Sequence, residues 1–394
     1  MTTSQAVNIE GVGVTAAKGF RAAGVTAGIK ASGTPDLALV VNDGPSNAAA
    51  GVFTSNRVKA APVLWSEQVV KGGRISAVVL NSGGANACTG PLGFQDTHAT
   101  AEKVAAELAL SAGEVAVAST GLIGVRLPMD ILLPGVEQAA KALAADGGEA
   151  AAIAIKTTDT VHKTAQVTKN GWTVGGMAKG AGMLAPGLAT MLVVLTTDAD
   201  VTAGGLDVAL RSATNTTFDR IDSDGCMSTN DTVLLLASAA SGVVPEQDEF
   251  AAAVATVCAD LARQLIGDAE GASKDIRIDV TGAATEQEAV QVARVISRNN
   301  LLKCALHGED PNWGRVLAAI GTTDAAFDPD QLNVAINGVW VCKDGSVGED
   351  RNLVDMTGRE VVITADLRAG EAAATVWTND LTADYVHENS AYSS

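Results

Sequence analysis

A chain of 394 residues with 47% hydrophobic and 18% charged side chains is globular rather than disordered, and long enough that two domains are expected. Its net charge of −18 and aromatic content of 3% argue against a nucleic-acid partner, which needs basic patches and stacking rings. Small substrates stay open, because salt screens charge beyond about 8 Å; an anionic one would need a local cation.

Five cysteines, Cys88, Cys226, Cys258, Cys304 and Cys342, form an odd set without CxxC spacing. That pattern fits a reducing cytoplasm and suggests no zinc site. Residues 1–7 lack the basic and apolar regions of a signal peptide. No apolar run reaches the roughly 20 residues of a membrane span. The expectation is a cytoplasmic protein without a metal or a membrane partner.

In chain order, an apolar strand is predicted over 75–80, followed by the polar loop Asn81-Ser-Gly-Gly-Ala-Asn86-Ala-Cys-Thr-Gly90. A helix over 97–111 and a strand over 114–118 lead into Thr120-Gly121-Leu-Ile-Gly124. A helical pattern over 130–145 contains Pro134, which is expected to break its first turn. Buried strands follow over 191–195 and 232–237. The helix predicted over 246–267 aligns Phe250, Val254, Val257, Cys258, Leu261 and Leu265 in one apolar stripe, so Cys258 reads as a packed thiol. Pro245 and the acids of its first turn mark its start. A further strand spans 276–280. The stretch Ser-Gly-Val-Val-Pro at 241–245 is the expected domain boundary, dividing 1–240 from 241–394. Strands and helices alternate without a regular βαβ beat, which predicts a layered α+β sandwich rather than a doubly wound sheet.

Chemistry concentrates where the Gly-rich run after Lys179 reaches Ala189 and Thr190, just ahead of the buried strand. A threonine at a strand start is ordinarily structural. A nucleophilic one needs a base within reach, and His98, His162, His307 and His387 are scattered. Cleavage between Ala189 and Thr190 would supply that base as a new α-amine, whose unperturbed pKa is about 7.7–8.0. Thr120 and Gly121 offer a hydroxyl and an amide that could stabilise an oxyanion, although on local grounds a plain turn is the better reading. Gly11-Val-Gly13 lacks the strand and third glycine of a dinucleotide fingerprint. The carboxylate-dense 219–231 stretch misses calcium-loop spacing and reads as a hydrogen-bonded turn. The His307-Gly-Glu-Asp-Pro-Asn312-Trp-Gly-Arg315 segment reads as a structural helix entry.

Taken together, these segments resemble the ornithine acetyltransferase family of arginine biosynthesis, also called glutamate N-acetyltransferase. The likeness covers Gly19-Phe20, Gly28-Ile-Lys30, 60–63, 81–90, 120–124, Thr157-Thr-Asp-Thr160, Lys179-Gly180 and 186–192. It continues through 222–225, Asn230-Asp231, 267–271, 307–315 and the C-terminal 385–394. The resemblance implies cleavage into chains 1–189 and 190–394, with Thr190 as nucleophile and α-amine base. It implies Thr120 and Gly121 as oxyanion hole, and Thr157, Lys179, Thr190, Glu270, Asn389 and Ser394 as substrate site. Lys179 would meet a substrate carboxylate, Glu270 the ornithine ammonium, and Asn389 with Ser394 the α-carboxylate. The substrates implied are N-acetylornithine and glutamate. The implied fold is that of self-processing aminopeptidases, resembling N-terminal-nucleophile hydrolases, with a C-terminal α+β domain lending its tail to the site. Two copies of each product chain would associate as a heterotetramer. No cofactor is implied, although acetyl-CoA stands as an alternative acetyl donor. Gly84 and Ser394 depart from the family's more frequent Asn and Thr. The rival reading is a self-processing aminopeptidase or amidase with the same nucleophile.

Overall fold

The computed structural model describes residues 11–185 and 191–391. Its first sheet has four strands in the order Phe20–Val25, Leu37–Asn42, Ala77–Ser82, Val115–Thr120. The second has five, in the order Ala48–Phe53, Thr232–Ala237, Leu192–Thr197, Trp172–Lys179, Lys163–Lys169.

Side chains alternate across a strand, and that alternation builds the layers. Leu37, Leu39, Val41 and Val79 point to one face of the first sheet, where the helices Gly90–Leu108 and Met129–Lys141 cover them. Ala38, Val40, Val78 and Leu80 point to the other and meet Met177, Leu192, Val194, Leu234 and Leu236 of the second sheet. The far face of that sheet presents Val193, Leu195, Val233 and Leu235 to the helices Ala203–Thr216 and Gln247–Gly267. The order is helix, sheet, sheet, helix. Strands covered on both faces read as continuous apolar runs, which is why those near 191 and 232 were legible. Each buried Leu or Val contributes about 1.5–3 kcal/mol.

A second unit follows. Six strands, in the order Ser346–Val347, Val339–Lys343, Asn333–Ile336, Glu360–Asp366, Asp275–Ala283, Ala372–Asn379, pack on the helices Glu286–Ser297, Asn300–His307 and Trp313–Ile320. The last strand leads to the helix Ala383–Ala391.

Three expectations need correction. The boundary expected at 240/241 falls inside the sandwich, because helix Gln247–Gly267 buries its stripe, Cys258 included, in the same core as Val193 and Leu235. One core ends at Ala269 and the next begins at Ile276. That helix is also long and apolar enough to span a bilayer, but its apolar stripe is consumed by the core. Pro134 lies inside helix Met129–Lys141 rather than breaking its first turn. It is exposed, so the carbonyl it deprives of a donor can turn to water. Finally, the strands expected over 75–80 and 114–118 are Ala77–Ser82 and Val115–Thr120, extending past the apolar run. The added polar residues pair across the ladder, with Asn81 opposite Ser119 and Ser82 opposite Thr120. Ser119 Oγ donates to Asn81 Oδ1 at 2.6 Å.

Candidate active site

Strand Val115–Thr120 of the first sheet and strand Trp172–Lys179 of the second end together, which brings Thr120 to Lys179. Both are 2% exposed, and Lys179 Nζ donates to Thr120 Oγ1 at 3.3 Å. The Thr120 hydroxyl proton is therefore free to point elsewhere. Gly121 follows with a φ of 127°, a conformation reserved for glycine. A Cβ there would sit 2.5 Å from the Gly84 nitrogen. The 81–90 loop lies that close because the Gly83 and Gly84 amides both donate to the Thr120 carbonyl, at 2.9 and 3.0 Å. Among the described residues, the Gly121 N–H has no hydrogen-bond acceptor. An unspent amide beside an unspent hydroxyl is the donor pair an oxyanion needs. Gly121→Ala is expected to cost about 1–3 kcal/mol of stability through strain and clash, read as a lower melting temperature; an unchanged melting temperature would contradict the close approach.

Thr120, Gly121, Thr157, Lys179, Glu270 and Asn389 line one cavity of about 320 Å³. Asp224, Cys226 and Tyr385 complete its polar wall, with Ile123 and Met183 as apolar neighbours. The size suits an amino-acid derivative. Glu270 Oε2 accepts from Asn389 Nδ2 at 2.9 Å, so the C-terminal helix is tied to the opposite wall. Asp224 Oδ2 accepts from the Met183 N–H at 2.7 Å. Tyr385 is pushed up to about 12 by burial and by Asp224, Glu270 and Cys226, so it stays a neutral phenol. Two carboxylates facing one buried ammonium suit a ligand with both a cationic and an anionic end.

Burial lowers the Lys179 ammonium below the ordinary lysine value, with Asp159 its principal counterweight. Asp231, fully buried, is pushed well above the usual carboxylate range by desolvation. Its Oδ1 accepts from the Met191 N–H at 3.1 Å, and its Oδ2 has no partner among the described residues. Leu192 pairs with Lys179 in the antiparallel ladder, so the first residue of this strand lies opposite Lys179 in backbone register. Ala189, Thr190 and Ser394 lie outside the described residues.

The remaining motifs fall as follows. Asn230 Nδ2 donates to the Ala85 and Ser119 carbonyls at 2.6 and 2.7 Å, tying the 81–90 loop to the second sheet. The 219–231 segment is the hydrogen-bonded turn expected, with Asp222 accepting from Gly225 N–H at 3.0 Å, yet it also sends Asp224 into the cavity. Asn312 precedes helix Trp313–Ile320, as a helix entry should. His98, His162 and His307 pair with Glu102, Glu149 and Asp380 respectively. His307 and His387 line a separate cavity of about 490 Å³. That larger cavity contains neither Thr120 nor Lys179. Asp224, Tyr385 and Cys226 were not among the expected site residues, although the family likeness covers 222–225 and 385–394: Asp224 lay in a carboxylate cluster set aside as a turn, Tyr385 was given no role, and no local pattern marks Cys226.

Sandwich and pocket suit an enzyme of the acyl-transfer class: an unspent hydroxyl and an unspent amide stand beside an amino-acid-sized cavity. The ArgJ family model matches residues 21–394. The chain is 79% identical over 381 residues to the arginine biosynthesis bifunctional protein ArgJ of Streptomyces coelicolor, covering 97% of this chain and 100% of that one. It is 64% identical over 380 residues to the protein of the same description from Thermobifida fusca, covering 96% and 99%. Among solved structures, ornithine acetyltransferase complexed with ornithine from Mycobacterium tuberculosis is 63% identical, covering 46% of this chain and 96% of that chain, with a TM-score of 0.44. The chain belongs to the ArgJ family and is an acyltransferase of arginine biosynthesis.

Proposed function

We propose that this chain cuts itself between Ala189 and Thr190 and then moves the acetyl group of N2-acetyl-L-ornithine to L-glutamate through an acetyl-threonine. The observation that carries the reading is the convergence of Thr120, Gly121, Thr157, Lys179, Glu270 and Asn389 on one cavity. In maturation, Thr190 Oγ attacks the Ala189 carbonyl, the amide nitrogen leaves with a proton, and water hydrolyses the resulting ester. The products are a chain ending at Ala189 and one beginning at Thr190 with a free α-amine. In turnover that amine takes the Oγ proton as Oγ attacks the acetyl carbonyl. The tetrahedral oxyanion is met by Thr120 Oγ–H and Gly121 N–H. Ornithine leaves with the proton, glutamate enters, and its amine takes the acetyl group to give N-acetylglutamate.

Lys179 supplies the cation for a substrate carboxylate on a chain of net charge −18. Glu270 meets the ornithine ammonium, and Asn389 with Ser394 the α-carboxylate. The description of the relatives as bifunctional supports acetyl-CoA as a second donor. The expected assembly is two copies of each product chain, in the cytoplasm.

Purified protein given N-acetylornithine and glutamate should release ornithine and N-acetylglutamate in equal amounts. Acetate and ornithine without N-acetylglutamate would instead favour the amidase reading. Glu270→Gln is expected to weaken N-acetylornithine by about 1.5–3 kcal/mol, the worth of a charge-assisted bond. The checking measurement is KM for each substrate; an equal effect on glutamate would contradict the role.

A further inference from the structure

Asp159 takes no part in the chemistry above, yet its carboxylate fastens the pocket together. Oδ1 accepts from Lys163 Nζ at 2.7 Å and from the Gly180 N–H at 2.6 Å, and Oδ2 from the Thr157 N–H at 3.0 Å. Lys163, with a fully buried side chain, also donates to Asp268 Oδ2 at 2.6 Å. Asp268 in turn accepts from the Thr160 N–H at 3.1 Å. Each anchor adjoins a pocket side chain. Thr157 is one itself, Gly180 follows Lys179, and Asp268 stands just before Glu270, whose N–H donates to the Ala181 carbonyl at 3.0 Å. Desolvation offsets much of the attraction within such a network, so stability alone is a weak reason to keep one beneath a site.

We infer that Asp159 is a positioning residue for acetyl transfer: it holds the Thr157, Lys179 and Glu270 walls in register and is the counterion that keeps Lys179 able to grip a substrate carboxylate. The inference rests on the acetyl-transfer reading. Burial alone would raise Asp159, but Lys179 and Lys163 override it and hold the carboxyl below its usual range. Burial pushes Lys179 the other way, toward its neutral form, and Asp159 opposes this most, helped by Glu270 and Asp231. Lys163 and the nearby Lys30 act against Lys179's charge. The charged form is thus lost as pH rises through a lowered value, and carboxylate binding fails with it. Removing the Asp159 charge moves that loss to lower pH. Removing the Lys163 charge moves it to higher pH, since Asp159 keeps Lys179 and two N–H donors and stays ionised.

The test is the pH dependence of kcat and KM for glutamate in wild type, Asp159→Asn and Lys163→Gln. In wild type, kcat/KM should fall on the alkaline side below the ordinary lysine value of about 10.4. Asp159→Asn should move that limb acidward by about one pH unit, a tenfold rise in KM beyond it; Lys163→Gln should move it the opposite way. A disturbance of packing alone would lower kcat in both without opposed shifts. If Asp159→Asn does not fold, the direction of the Lys163→Gln shift decides. A wild-type limb at or above the ordinary value, unmoved limbs, or limbs moving the same way would overturn the inference. Wild-type protein inactive toward N-acetylornithine and glutamate would overturn the acetyl-transfer reading instead.

Discussion

Thr190→Ala is expected to leave one uncut chain of 39.8 kDa with no acetyl transfer, while wild type yields chains 1–189 and 190–394. Both losses have one cause. The hydroxyl is the nucleophile of maturation and of turnover, and without maturation no α-amine exists to serve as base. No histidine lines the cavity among the described residues, so no substitute base of that type stands there. Denatured intact mass reads the first loss, and N-acetylglutamate formation reads the second. Thr190→Ser should retain both at reduced rate, because a hydroxyl and an amine are still produced. A cleaved and active Thr190→Ala protein would remove the threonine from the mechanism.

Thr120→Val is expected to lower kcat by about 10²–10³, roughly 3–4 kcal/mol for one lost oxyanion donor. Valine keeps the β-branched shape in a strand end that is 2% exposed, so packing is conserved and the hydroxyl is what goes. The same change removes the Thr120 Oγ1 acceptor that Lys179 Nζ meets at 3.3 Å, leaving a buried ammonium short of a hydrogen bond and nearer its neutral form. KM for a carboxylate substrate should therefore rise as well. Maturation should slow as well, since it passes through the same kind of oxyanion. A variant with unchanged kcat, checked in steady-state assays of cleaved protein, would leave the Gly121 amide as the sole donor.

The buried strands near 191 and 232 were legible because strands covered on both faces are apolar throughout. The helix at 246–267 was legible from its stripe; Thr120, Gly121, Thr157, Lys179, Glu270 and Asn389, which the family likeness implied for the site, line one cavity. Strand ends were harder. An apolar-run criterion stops at Leu80 and Ala118, whereas the ladder continues through Asn81–Ser119 and Ser82–Thr120 because their polar groups are satisfied there. The boundary near 241 failed for a related reason. A Gly/Pro stretch marks a turn, but only packing tells which core the next helix joins. The charges beneath the pocket were invisible for a third reason. Asp159 and Lys163 stand four apart in sequence, but Asp268 meets Lys163 only through the fold. Asp231 reads as one more acid of a turn until its burial against the Met191 N–H is seen.

The most direct test of the account uses cleaved wild-type protein mixed with N-acetylornithine in the absence of glutamate, quenched and weighed by intact mass. The account predicts that chain 190–394 gains one acetyl group, that peptide mapping finds it on Thr190, and that adding glutamate discharges it as N-acetylglutamate. Transfer to glutamate at full rate with neither chain ever carrying acetyl, or with acetyl on chain 1–189, would contradict it.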